Sequence, residues 1–157
     1  MQETLRRMRE KRVGGDHGFT LIELLVVVVI IGVLVAIAIP LYSNYRKGAE
    51  NKSAETDIRG AITAVEQFYT DNGNAYPADA DGAEGVALSL PALSGGTGQT
   101  ASVSAGNKLS FRNKSTYYVL CAQNSHGQTI YVYNSSSGKP VAKSDQTTFA
   151  LCLSAGT

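Results

Sequence analysis

Residues 19–39 read FTLIELLVVVVIIGVLVAIAI, twenty-one positions with one formal charge, Glu23. At ~1.5 Å of helical rise per residue this run spans roughly 30 Å, about the thickness of a bilayer's hydrocarbon core. Neither a globular core nor an ordinary membrane anchor needs a carboxylate there. Left unpartnered in that layer it costs at least a few kcal/mol, so Glu23 reads as functional.

The 157 residues suffice for one membrane helix and one modest folded domain. Fourteen basic residues against thirteen acidic give no electrostatic case for a nucleic-acid or membrane-surface protein. The charge is uneven, however. Ahead of Phe19 stand Arg6, Arg7, Arg9, Lys11 and Arg12 against Glu3, Glu10 and Asp16, so 5 − 3 leaves +2. Basic residues just before an apolar segment stay cytoplasmic, which sends the C-terminal part outward. Cys121 and Cys152, the only cysteines, lie in that outward part. In an oxidising compartment such a pair is most simply one disulfide, with two reduced buried thiols as the alternative.

A basic stretch followed by an apolar run outlines a secretory signal, but two features depart from it. The run is longer than a signal core, and Pro40 and Leu41 follow it in place of an A-x-A-like site. Small residues stand before it instead, at Gly14, Gly15 and Gly18. A cut at Gly18 would remove residues 1–18 as a leader and keep the apolar helix.

The string Gly18-Phe19-Thr20-Leu21-Ile22-Glu23 resembles the processing motif of type IV pilins and type II secretion pseudopilins. The similarity extends over roughly residues 14–77, including the DNGNAYP string. It implies that a membrane-embedded prepilin peptidase cleaves between Gly18 and Phe19 and methylates the new amine of Phe19. It further implies that Glu23, one helical turn away, pairs with the terminal amine of a neighbouring copy during assembly. Buried opposite charges attract strongly and each is costly alone, so such a pair pins the axial register. A pair within one subunit would satisfy Glu23 without recruiting a neighbour.

Pro40 deletes one backbone hydrogen bond and crowds the carbonyl of Ala36, and Gly32 weakens the helix by up to about 1 kcal/mol. Residues 32–40 are therefore the weakest stretch of the helix. By the resemblance, the matching segment loses helical structure in assembled fibres; a simple kink is the alternative.

Beyond Pro40 the pattern turns amphipathic. Ile58, Ile62, Val65 and Tyr69 share one helical face, with Asp57, Arg59 and Glu66 off it. Charges at Arg46, Lys47, Glu50, Lys52, Glu55 and Asp57 suit a solvated face or salt bridges between copies, the solvated face being the simpler. The helix should stop near Thr70, ahead of Asp71-Asn72-Gly73-Asn74 and Pro77. Residues 78–110, rich in Ala, Gly and Ser, read as a long loop with at most a turn of helix near 88–93. Strands are expected at 116–121 and 129–133, forming a hairpin through 123–128, and a last short strand at 149–153. The fold class is α+β: a long N-terminal helix, its first half membrane-spanning, packed on a small antiparallel sheet in the manner of a type IV pilin. The domains are a leader at 1–18, a transmembrane and assembly half-helix at 19–40, an amphipathic half-helix at 41–71 and a globular domain at 72–157.

No catalytic residues, cofactor or metal site are expected. His17 leaves with the leader, which rules out a Cys2His2 site, and Ser125 beside His126 lacks the through-space geometry of a triad. Sequons at Asn51, Asn113 and Asn134 carry little weight. The aromatic residues Phe19, Tyr42, Tyr45, Phe68 and Tyr69 suggest either electron conduction or, more simply, packing against the sheet and neighbouring helices.

The resemblance implies a fibre subunit, resident in the cytoplasmic membrane until assembly and at the cell surface afterwards. Its partners would be other copies of itself, membrane lipid before assembly, the prepilin peptidase, and the assembly platform and ATPase. Nucleic acid would be met only through the assembled fibre. A pseudopilin of a secretion or DNA-uptake machine is the nearest rival. Pseudopilins often carry a calcium site in a late loop, and Asp145 standing nearly alone favours the pilin. A tethered binding domain that never assembles is the reading from a different class.

Overall fold

The computed structural model describes residues 18–156. The rest of the expected leader, with its basic residues, Gly14, Gly15 and His17, lies outside the described residues. The chain divides into two units between Leu41 and Tyr42, and one helix, α1 (Leu21–Asp71), runs through that point. In the first unit α1 is apolar on every side apart from Glu23, and among the described residues nothing covers it: Val29 is 57% and Ile30 53% exposed. It is the one helix among the described residues long and apolar enough to cross a membrane.

In the second unit α1 buries Ala54, Asp57, Ile58, Ala61, Val65 and Phe68. This stripe differs from the expected one. Ile58 and Val65 are at its centre, Ile62 and Tyr69 are half-buried at its border, and Asp57, expected off the stripe, is inside it. The helix ends at Asp71 as the turn residues predict. Gly73 and Asn74 take positive φ, and the Asn74 amide donates to the Tyr69 carbonyl at 2.9 Å.

Residues 78–110 are not a loop. They hold β1 (Ala80–Ala83), β2 (Leu88–Leu90), β3 (Gln99–Ala101) and the start of β4 (Asn107–Asn113). Three of these strands are only three or four residues long, and their small residues mask the usual β-branched signal. β5 (Tyr118–Asn124) and β6 (Ile130–Asn134) form the expected hairpin, and β7 (Ala142–Lys143) is the edge. The main sheet is antiparallel in the order β1-β4-β5-β6-β7, with β2 and β3 paired separately.

The central strand β5 is covered on both faces. Tyr118, Leu120 and Ala122 join the core with α1, while Val119 and Cys121 join Ile130, Val132 and Cys152 on the other side. Alternation is invisible in a strand buried twice, which is why this segment reads as a continuous apolar run. The second face is closed by α2 (Phe149–Ala155), where a last strand was expected. The Thr148 hydroxyl accepts the Leu151 amide at 3.3 Å, and Gly156, at φ 67°, donates its amide to the Cys152 carbonyl. A polar cap and a left-handed glycine make a helix of a segment whose composition suggests a strand.

Candidate functional site

Thr20 immediately precedes α1, and Glu23 lies in its first turn. The Thr20 amide and hydroxyl each donate to Glu23 Oε2 at 2.9 Å, and the Glu23 amide donates back to Thr20 Oγ1 at 3.3 Å. This reciprocal arrangement is a capping box, and its signal in the sequence is the Thr-x-x-Glu spacing of Thr20 and Glu23. The carboxylate therefore has partners in its own chain, but they are neutral. Phe19, four residues before Glu23, is 86% exposed. Further along, a methyl group at Gly32 would meet nothing within 4 Å, so no contact inside the chain requires glycine there. Pro40 stands inside α1, which continues through it.

Around Asp57 the second unit carries a polar network. Asp57 accepts the Ser104 amide at 2.8 Å, the Ser104 hydroxyl at 2.7 Å and the Asn107 side-chain amide at 2.6 Å. Asn107 in turn accepts from Asn124 Nδ2 at 2.7 Å. Asn124 Oδ1 caps the β5–β6 turn by accepting the His126 and Gly127 amides. Asp57 is thus engaged within the chain, not offered to another copy. Of the other charges on this stretch, Arg46 pairs with Glu50 at 2.8 Å, and Glu55 pairs with both Lys52 and Arg59. These are local helical pairs of small individual worth.

Two asparagines fasten loops to α1. Asn51 Oδ1 accepts the Thr129 amide, and Gly127 lies so close to Asn51 that no side chain fits between them. Asn72 donates to the Phe68 and Thr97 carbonyls and accepts the Leu93 amide. On the core side, the Tyr118 hydroxyl donates to Glu66 at 2.7 Å. Burial, and then the Glu66 carboxylate, push the Tyr118 phenol well above its ordinary value. Tyr118 also joins Tyr76, Phe111 and Tyr133 in an aromatic cluster.

Cys121 and Cys152 form the disulfide, with Cα atoms 6.4 Å apart and a sequence separation of 31. His126 Nδ1 is 3.3 Å from Ser125 Oγ and 4.0 Å from Glu50 Oε1. Both contacts fall on one nitrogen, whereas a triad needs serine and carboxylate on opposite ring nitrogens. Among the described residues no three His, Cys, Asp or Glu side chains gather as a metal site.

Residues 15–39 match the family described as the prokaryotic N-terminal methylation motif. The chain carries a type IV pilin-like N-terminus. It is 42% identical over 75 residues to the fimbrial protein EcpC of Eikenella corrodens, covering 48% of each chain. It is 42% identical over 74 residues to the type IV major pilin PilE of Neisseria gonorrhoeae, 47% of this chain and 43% of that one. It is 41% identical over 56 residues to the type IV major pilin PilA of Myxococcus xanthus, 36% of this chain and 26% of that one. The matches span less than half the length of these relatives. No solved structure matches. The pilin-like α+β architecture is common ground between the described fold and the resemblance.

Proposed function

We propose that this chain is the precursor of a type IV pilin, a structural subunit without catalysis of its own. The observation that carries the reading is an uncovered apolar half-helix with one carboxylate in its first turn, placed inside a methylation-motif match. Lipid holds that helix before assembly. Other copies hold it afterwards, when it exchanges an oily solvent for the same surface on its neighbours. A prepilin peptidase removes residues 1–18 and methylates Phe19, and an assembly platform and ATPase drive polymerisation into a surface fibre. The new amine of Phe19 offers Glu23 a cationic partner in place of the neutral Thr20 donors. Between buried groups a charged partner outweighs a neutral one, which favours exchange on assembly. The relatives' names, major pilin and fimbrial protein, favour the fibre over a short secretion pseudopilus.

Mass spectrometry of the protein from surface fibres tests this directly. An N-methylated phenylalanine at Phe19 is expected; fibres built from chains that retain residues 1–18 would refute the reading.

A further inference from the structure

The tyrosines of the second unit differ in their surroundings. Tyr69, Tyr76, Tyr118 and Tyr133 pack ring against ring, with centroids 4.6 to 5.8 Å apart. Tyr42 and Tyr45 do not: they are 69% and 73% exposed, and neither ring meets another among the described residues. They stand in the first turn after the apolar residues of the first unit, which end at Leu41. Spacings of three and one put Tyr42, Tyr45 and Arg46 on one face of α1, with Lys47 beside it. Arg46 uses only Nε on Glu50, which leaves both terminal guanidinium nitrogens available. Lys47 is exposed and has no ion pair among the described residues.

Phenol rings left in water forfeit apolar burial, and hydroxyls carried into hydrocarbon forfeit hydrogen bonds. The glycerol and headgroup layer of a bilayer meets both needs, and cations there reach phosphates. Residues 21–41 provide roughly 30 Å of helix at ~1.5 Å per residue, enough to bring the next turn to that layer.

We propose that Tyr42, Tyr45, Arg46 and Lys47 form a seat for phospholipid headgroups of the outer leaflet, setting the depth of the unassembled precursor. The rings rest at glycerol level and the two cations engage lipid phosphates. This rests on the membrane stage proposed above, and a control separates the two.

The chain has no tryptophan, so one introduced indole reports its own depth. The full chain is placed, at high lipid dilution, in vesicles of phosphatidylethanolamine and phosphatidylglycerol, as Tyr42→Trp, Tyr45→Trp or Leu34→Trp. Brominated lipids then quench by depth. For Tyr42→Trp and Tyr45→Trp the expected result is stronger quenching by bromines near the headgroup than by bromines near the chain ends. Leu34→Trp should show the reverse. Arg46→Gln with Lys47→Gln should weaken headgroup-level quenching at Tyr45→Trp in phosphatidylglycerol-rich vesicles. Water-like, unquenched emission from both interfacial variants, with Leu34→Trp still deep, overturns the seat and leaves the membrane stage intact. Blue-shifted but unquenched emission assigns the tyrosines to contact with protein and also overturns it. Failure of Leu34→Trp to quench overturns the membrane stage itself.

Discussion

Asp57 holds three donors, the Ser104 amide and hydroxyl and the Asn107 amide, in a place where water has little access. Each buried donor left without an acceptor costs ~1–3 kcal/mol, less what an entering water restores. Asp57→Ala should therefore lower the unfolding free energy by about 3 kcal/mol, and Asp57→Asn, which keeps one acceptor oxygen, by less. Urea denaturation of the detergent-solubilised chain measures both; a change within error for Asp57→Ala would show that the network is dispensable. Tyr118 gives a prediction in pH. Its phenol holds its proton more tightly folded than unfolded, so above the unfolded value of about 10 the unfolded chain binds fewer protons and stability falls as pH rises. Below that value the contribution is fully present. Tyr118→Phe should flatten the alkaline decline in thermal unfolding while losing the Glu66 bond. If the decline is as steep in the variant, the other tyrosines carry it.

Among the elements, α2 depends on its tether. With its cysteines 31 apart in sequence, the disulfide restricts the unfolded chain enough to contribute ~3–4 kcal/mol in the chain-entropy account. Replacing both cysteines by alanine should cost that much in denaturant midpoint experiments and loosen α2 first, seen as faster amide exchange at Leu151 and Leu153. Equal protection in both forms would mean that the apolar contacts of Phe149 and Leu153 hold α2 unaided. Pro40→Ala restores a backbone donor inside α1 and should make fibres harder to extend in single-fibre pulling; unchanged extension would place the weak point elsewhere. How legible these elements were follows from how many faces each one buries. The apolar half-helix and the β5–β6 hairpin announce themselves by composition. In β4, Leu109 and Phe111 alternate with Lys108, Ser110 and Arg112, a period of two that was there to be read. In α2, Thr148 and Gly156 bracket a segment too short to show a helical period, so only its caps distinguish it from a strand. Asp57 was unreadable because an acidic residue beside a stripe acquires its partners from the β3–β4 turn and the start of β4, some fifty positions away.

At the scale of the whole molecule, Glu23 divides the readings. If copies recruit one another through it, Glu23→Ala should give a processed, membrane-resident protein that builds no fibres, counted by electron microscopy of sheared cells. Normal fibre yield from that variant would point to a register set by shape alone, whereas fibres that lack even the unsubstituted chain would favour the non-assembling alternative. The two turns that flank β6 differ in a way that bears on engineering. At Gly127 the chain grazes Asn51 with room only for a hydrogen, and lengthening that turn would force it off α1. After Asn134 the chain runs through Ser136, Ser137, Gly138, Lys139 and Pro140, all exposed. If the chain polymerises as proposed, a foreign epitope grafted there would be carried once per subunit and the filament would become a dense antigen array.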